Sequence, residues 1–253
     1  MSDREATKEI PAKAFLRLAA GVAAPLGVLA FWGGMIMAAR HYPSEYDWRY
    51  MTLSSLLSPA RNPAAHLWAS GGIVLCGLCG LGWTAAWSRC WNREGAGVRP
   101  GGIRTLRWGN VCMIGSSVLP DWLLPVRKGH EILALLAFAG LCLGMIQLTF
   151  QTMEKIFQRW ARTSSGCPRW HAAALAGAAA VPIVLAGLAQ AYVFYVLPKL
   201  HWVDLSWRAR GVPVYFSFAF WEWITCVELS AYWVAGSLTN YLIFSNPKFR
   251  AGV

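Results

Sequence analysis

The sequence predicts an all-α integral membrane protein, a bundle of six transmembrane helices with the N and C termini in the cytoplasm. The 253 residues are 56% hydrophobic and 14% charged, and their mean hydropathy is +0.39, which is too apolar for the surface of a soluble domain. Six stretches reach the roughly 20 apolar residues that a bilayer core of about 30 Å requires. The Lys and Arg residues are unevenly distributed between the segments that separate those stretches. We therefore expect one transmembrane helical domain over residues 1–253.

The six predicted spans are bounded by charged residues or prolines. They cover residues 16–39, 64–88, 106–124, 130–150, 170–197 and 214–244. The second span is rich in glycine, which favours close packing between membrane helices. The third is the weakest, because it contains Asn110, Ser116 and Ser117. Polar groups inside a span predict that the helix faces the bundle rather than lipid.

The orientation follows from the basic residues. The two tails and the second and fourth loops hold fifteen Lys and Arg residues, against eight in the remaining segments. By the positive-inside rule, both termini are then cytoplasmic. The net charge of +11 is interpreted as topology and as attraction to anionic headgroups. Membrane lipids are therefore the predicted partners, and nucleic acid is not, because no basic stripe interleaved with aromatic residues is present.

Cys76 and Cys79 have the spacing of a redox or metal pair, but they lie in the middle of the glycine-rich second span. Packing of small residues between helices is the favoured interpretation, and redox chemistry is the alternative. All seven cysteines lie in predicted spans or cytoplasmic loops. This placement argues against a disulfide framework, because disulfides form in oxidising compartments.

Residue types that bind headgroups or perform acid and base chemistry gather on the predicted outward side. Some lie in the three outward loops, where binding sites on a rigid scaffold usually occur, and others lie near the outer ends of the spans. The candidates for catalysis are His130, Asp121 and Glu222, and those for substrate binding are Asp47, Arg49, Ser54, Ser55, Gln190, His201 and Asp204.

These candidates have specific expected roles. Arg49 would hold a headgroup anion as a bidentate donor. His130 would carry a proton, because histidine titrates closest to neutral pH. Glu222 would form the floor of an outward-opening polar pocket. Glu228 lies deeper, where a bare carboxylate costs several kcal/mol, so we expect it to be protonated or hydrogen-bonded to a group such as Tyr232 or Asn110.

A metal site is a weaker alternative for the same outward face. His130, His201 and Asp204 could converge there, and the last two are three residues apart, which suits one face of a helix. The chain has neither an HExxH motif nor a repeated His pair. A histidine at a helix end and an aspartate that caps a helix account for the same residues. The sequence assigns no cofactor.

The leading functional hypothesis is that the outward pocket binds or processes a lipid or lipid-like amphiphile. One alternative is a non-catalytic transmembrane subunit, whose glycine faces and tryptophans pack against other subunits of a larger complex. A second alternative is a small proton-coupled transporter, because Glu222 and Glu228 lie at two depths of the last span. Whether the protein is an enzyme stays open.

Several short motifs are similar to those of a known family. They are Pro43 with the run YDWR at 46–49, the run TLSSL at 52–56, the glycine-rich second span, the pair Gly129-His130 and the run AGLAQ at 186–190. Through them, residues 20–195 resemble domain-of-unknown-function family 998, an uncharacterised family of six-span bacterial and archaeal membrane proteins that is distantly similar to the Frag/DRAM/Sfk proteins. This chain has Leu56 and Ala191 where the family usually has an acid and an arginine. The resemblance implies a helical bundle with an outward polar face and carries no established activity. We expect the chain to be a multi-pass protein of a cell membrane, the inner membrane in bacteria.

Overall fold

The regular elements of the protein are helical throughout the described residues. The computed structural model describes residues 19–93, 100–119, 129–161, 206–209, 211 and 213–245, and the single positions 181, 184, 185 and 188. A π-helical turn at Ala19–Ala23 leads into the first helix, and a 3₁₀ turn at Val214–Phe216 precedes the last. The helices are α1 (Ala24–Arg40), α2 (Leu53–Leu57), α3 (His66–Arg93), α4 (Pro100–Val118), α5 (Gly129–Ala161), α6 (Ser206–Ala209) and α7 (Phe218–Ser245).

Within these residues, three helical stretches are long and apolar enough to cross a membrane. They are Gly21–Arg40, His66–Arg89 and Gly129–Gln151, in α1, α3 and α5. They coincide with the first, second and fourth predicted spans. The structure is thus that of an all-helical protein with three candidate membrane-spanning helices, as a multi-pass membrane protein requires.

The other predicted spans have a different outcome. The third was predicted over 106–124, whereas α4 begins at Pro100 and ends at Val118. Proline is favoured in the first turn of a helix, where its missing N–H is not needed. The helix therefore includes Arg104, which precedes the predicted span, as well as Arg107, which lies within it. The sixth coincides with α7, and the fifth lies almost entirely outside the described residues, so the six-span count and the orientation stay predictions.

Glycines allow neighbouring helices to approach closely. A Cβ atom added at Gly34 on α1 would lie 2.5 Å from the carbonyl oxygen of Trp68 and 3.0 Å from the Cα of Gly72 on α3. A Cβ atom added at Gly140 on α5 would lie 2.7 Å from the Cα of Gly109 on α4. Such close backbone contact is a main source of helix association in lipid, where apolar side chains gain little from leaving the surroundings.

Helix α7 packs against α1 and against α5. The Trp233 ring packs directly against Gly27 on α1, where a Cβ atom would overlap the ring. The Trp32 indole N–H donates to the Ser230 hydroxyl at 3.1 Å. The Tyr232 hydroxyl donates to the carbonyl oxygen of Met145 on α5 at 3.1 Å. The bundle of α1, α3, α4, α5 and α7 therefore surrounds a common centre.

Candidate functional site

An apolar cavity of about 120 Å³ lies at the centre of the bundle. Helices α1, α3, α4, α5 and α7 form its walls, and α2 closes one end. Along α7 the lining extends from Glu222 to Trp233. These residues are eleven positions apart, or about 16 Å at about 1.5 Å of rise per residue. The cavity is therefore long and narrow.

Polar side chains line the end of the cavity next to α2, which we call the cap end. They are Glu222, His130, Ser54 and Ser116. The segment that closes this end, residues 41–65 between α1 and α3, is called the cap segment below. We predicted an outward-opening polar pocket with Glu222 as its floor. The walls beyond the cap end are mostly apolar, because the facing side chains of the long helices are themselves apolar.

Glu222 joins the cavity to the cap segment. Its Oε2 atom accepts a hydrogen bond of 2.9 Å from the backbone N–H of Leu53, and both residues are buried. Leu53 is the first residue of α2, and its N–H has no acceptor within that helix. The preceding Thr52 does not cap the helix, because its hydroxyl lies 2.7 Å from that of Ser54. A carboxylate from α7 therefore caps α2, and a negative charge is favourable at a helix N-terminus.

Tyr46 and Trp223 hold the cap segment beside Glu222. The Trp223 indole N–H lies 3.2 Å from both the Tyr46 hydroxyl oxygen and the carbonyl oxygen of Met51. The Tyr46 hydroxyl in turn donates to the carbonyl oxygens of Met51, at 2.9 Å, and Thr52, at 3.2 Å. Burial raises the pKa of Tyr46 well above its usual value, and the nearby Glu222 carboxylate raises it further. The hydroxyl therefore stays protonated and keeps its role as a donor.

Asp47 and Arg49 pair with each other on the outer side of the cap segment. The Arg49 Nε and Nη2 atoms donate to the two carboxylate oxygens of Asp47 at 2.8 and 2.9 Å, and the Arg49 backbone N–H adds a bond of 3.1 Å. Arg208 on α6 approaches the same carboxylate to 3.5 Å. Hydrogen bonding from Arg49 lowers the pKa of Asp47 below its usual value. The bidentate face of Arg49 thus already has a carboxylate of the protein as its partner.

Asn62 ties the cap segment to α1, and Ser55 bonds within the segment. Asn62 is fully buried, and its Nδ2 atom donates to the carbonyl oxygens of Ala38, at 3.1 Å, and Leu56, at 3.3 Å. Ser55 is also buried, and its hydroxyl accepts a bond of 3.2 Å from Arg61. Of the candidates that we predicted for substrate binding in this segment, Ser54 lines the cavity, whereas Asp47, Arg49 and Ser55 lie outside its lining.

His130 lines the cavity at the start of α5. Its Nδ1 atom lies 2.7 Å from the carbonyl oxygen of Ser116, near the end of α4. Because a carbonyl oxygen can only accept, Nδ1 carries the hydrogen in this contact. The contact fixes the ring orientation and joins the ends of two neighbouring helices at the cap end.

Glu228 lies on the same helix as Glu222 but does not line the cavity. The two partners that we had suggested for it are engaged elsewhere. Tyr232 bonds to Met145 and accepts a hydrogen bond of 2.7 Å from Thr149, and the Asn110 side chain donates to the carbonyl oxygen of Leu106 at 2.8 Å.

Several predicted residues cannot be placed. Asp121, Gln190, His201 and Asp204 lie outside the described residues, so their proposed roles stay predictions. Within the described residues, no group of three His, Cys, Asp or Glu side chains is arranged to hold a metal ion. Cys76 and Cys79 are free thiols, and Cys76 lines the cavity.

Three residues that hold the cap segment were absent from our prediction: Tyr46, Asn62 and Trp223. Tyr46 lies in the run YDWR beside the candidate Asp47, and Trp223 directly follows the candidate Glu222. Their positions next to predicted site residues could have identified both. For Asn62 the sequence offers only an Asn-Pro pair typical of a turn. Its bonds to two separate helix ends depend on the fold.

Comparisons with protein-family models, with curated proteins and with solved structures find no match for this chain. The resemblance to domain-of-unknown-function family 998 stays a prediction. The candidate site is thus defined by the geometry of the cavity and the cap segment.

Proposed function

We propose that this protein binds a lipid or lipid-like amphiphile, with the apolar chain in the central cavity and the head at the cap end. One observation carries this proposal: a single cavity combines apolar walls from five helices with polar side chains at one end. Ligand sites commonly have this composition, mostly apolar with a few polar groups that fix the orientation of the ligand.

The size of the cavity favours one hydrocarbon chain over a complete two-chain lipid. Its volume of about 120 Å³ is similar to that of the apolar cavity of about 150 Å³ that binds benzene. It is smaller than the roughly 300–1,000 Å³ of sites for drug-sized ligands. A chain that enters the cavity from the bilayer gains little from leaving lipid, so the polar groups at the cap end must supply most of the selectivity.

The polar side chains have separate roles in this proposal. Ser54 and Glu222 contact the head, and His130 is the proton carrier if the head is processed. Asp47 and Arg49 act indirectly, because their ion pair shapes the cap segment that closes the cavity. The protein would lie in a bacterial inner membrane with the cap end outward and both termini in the cytoplasm, and the distribution of Lys and Arg supports that orientation.

The proposal can be tested by filling the cavity. Ala137 on α5 is buried and lines the cavity, whereas its neighbour Leu136 is 51% exposed on the outer face of the same helix. We expect Ala137→Phe to abolish retention of a single-chain amphiphile through detergent purification, as measured by mass spectrometry of extracted small molecules. Leu136→Phe is the matched control and should retain it. Equal retention in both variants would contradict the proposal.

The two alternatives have less support. A subunit of a larger complex was suggested by the glycine faces, but Gly34, Gly72, Gly109 and Gly140 pack against helices of the same chain. A proton relay along α7 was suggested by its two glutamates, but Glu228 does not line the cavity that Glu222 reaches. Constant co-purification with other membrane proteins, together with the absence of any bound amphiphile, would favour the subunit.

A further inference from the structure

We infer that the amphiphile bound in the cavity has a positively charged head, an ammonium or a similar organic cation, which pairs with the Glu222 carboxylate. This inference rests on the proposed function and specifies the ligand class of the same site. It follows from the charges at the cap end, from the hydrogen bonds of Glu222 and from the aromatic side chains around it.

Glu222 is the one Asp, Glu, Lys or Arg side chain among the described residues that line the cavity. The arginines of the cap segment lie outside the lining and have protein partners, Arg49 with Asp47 and Arg61 with Ser55. An anionic head would therefore meet the Glu222 carboxyl group in a low-dielectric site, with no Lys or Arg among the described lining residues to pair with.

Glu222 retains the capacity to bind a cation. Its Oε2 atom accepts the Leu53 N–H, whereas its Oε1 atom accepts no hydrogen bond from any residue in the described part of the chain. The bond from Leu53 fixes the position of the carboxyl group at the cavity. A bound cation would complete the pairing that a buried carboxylate requires.

Aromatic rings in the same cavity suit a cationic head. Phe31 and Phe138 both line the cavity. Phe31 belongs to an apolar cluster with Leu53, which donates to Glu222, and with Trp223, which follows Glu222 in sequence. Phe138 packs against the same cluster. The faces of aromatic rings attract organic cations, most strongly where water is excluded. Carboxylate and rings together therefore select a lipophilic cation over an alcohol or a phosphate with the same chain.

The test compares three probes that share a twelve-carbon chain: dodecyltrimethylammonium, dodecanol and dodecyl phosphate. Equilibrium binding of the radiolabelled ammonium compound to the full-length chain in nanodiscs is measured at pH 8, with subtraction of binding to empty nanodiscs. The other two compounds are used as competitors. We expect the cation to bind at least tenfold more tightly than the alcohol. The phosphate should bind most weakly of the three.

Glu222→Gln isolates the charge. The glutamine carbonyl still accepts the Leu53 N–H, so the cap segment keeps its hydrogen bond, and we expect the affinity for the cation to fall at least tenfold while that for dodecanol is unchanged. Glu228→Gln is the matched control on the same helix and should leave both affinities unchanged.

The inference is overturned if dodecyl phosphate competes as well as the cation in the wild type, or if Glu222→Gln binds the cation normally. The order of affinities in the wild type decides the question even if the variant does not fold. Absence of specific binding by all three probes would instead overturn the proposed function.

Discussion

The Glu222 carboxylate accepts the backbone N–H of Leu53 across a distance of 2.9 Å and thereby connects the cavity to the segment that closes it. The two residues are 169 positions apart in the chain. The same side chain therefore caps α2 and is the acidic group among the described residues that line the cavity. Changes at this position are expected to affect both the stability of the cap segment and ligand binding, and the two effects can be separated.

Removal of the Glu222 side chain should loosen the cap segment. In Glu222→Ala the buried Leu53 N–H loses its acceptor, and we expect a loss of about 1–3 kcal/mol in the stability of this contact. Trypsin cleavage at the exposed Arg61 should become faster. Glu222→Gln keeps an acceptor and should be cleaved more slowly than the alanine variant. Glu228→Ala serves as the control, and faster cleavage there would show that the effect is not specific to the Leu53 contact.

Alanine at the tightest glycines should destabilise the bundle. In Gly34→Ala and Gly72→Ala the new methyl group would lie 2.5 Å from a backbone carbonyl oxygen, so the α1–α3 pair must separate. We expect a lower thermal unfolding midpoint in both variants. Their neighbours Gly33 and Gly71 have no atom within 4 Å of an added Cβ atom. In these controls alanine should leave the midpoint unchanged or raise it slightly, because it favours the helix by about 0.5–1 kcal/mol over glycine. Equal effects at all four positions would contradict close packing of α1 and α3.

The Asp47–Arg49 pair should contribute stability that depends on pH. Hydrogen bonding from Arg49 lowers the pKa of Asp47 in the folded protein below its ordinary value of 3.8. The contribution is therefore fully present above the unfolded-state pKa and is lost as the pH falls through the folded-state pKa. The difference in cap-segment stability between the wild type and Asp47→Asn should be constant from about pH 7 to about pH 5 and should shrink below about pH 4. Proteolysis across this range is a suitable measurement, and a difference that grows on acidification would have the wrong sign.

Loss of the Tyr46 hydroxyl should weaken the contact between the cap segment and α7. This oxygen accepts a hydrogen bond from Trp223 and donates to the carbonyl oxygens of Met51 and Thr52. We expect Tyr46→Phe to cost about 1–3 kcal/mol, because buried polar groups lose a partner. The same change at Tyr42, whose ring contacts Tyr46 and whose hydroxyl makes no hydrogen bond with a described residue, is the control. Thermal unfolding that is equally affected in both variants would indicate that the hydroxyl of Tyr46 has no special role.

Part of this architecture could be predicted from the local sequence. The apolar lengths of α1, α3 and α5 identify them as candidate spans, since the requirement to cross a bilayer depends on the composition of each segment alone. The selection of Glu222 as a functional candidate had a similar basis, because an acidic residue inside an apolar stretch is costly without a role. The span predicted over 106–124 overlaps α4, which begins earlier, at Pro100.

The arrangement of the cap segment depended on contacts between distant parts of the chain. The Arg49 guanidinium could bind a headgroup anion, yet it donates two hydrogen bonds to Asp47, two residues away. Asn62 contributes by bonding to the ends of α1 and α2 at the same time. Neither partner could be inferred from residue type, because several acceptors were equally available in the sequence.

The amino-acid sequence alone establishes an apolar, helical chain with long candidate spans and a few acidic residues within or beside them, because apolar length and charge are properties of short segments. The packing of the helices decides that Glu222, His130 and Ser54 line one cavity, and that Asp47 and Arg49 do not. The physical reason is that a buried polar group must find a partner in three dimensions. Which partner it finds depends on the close approach of backbones at glycines such as Gly34 and Gly72.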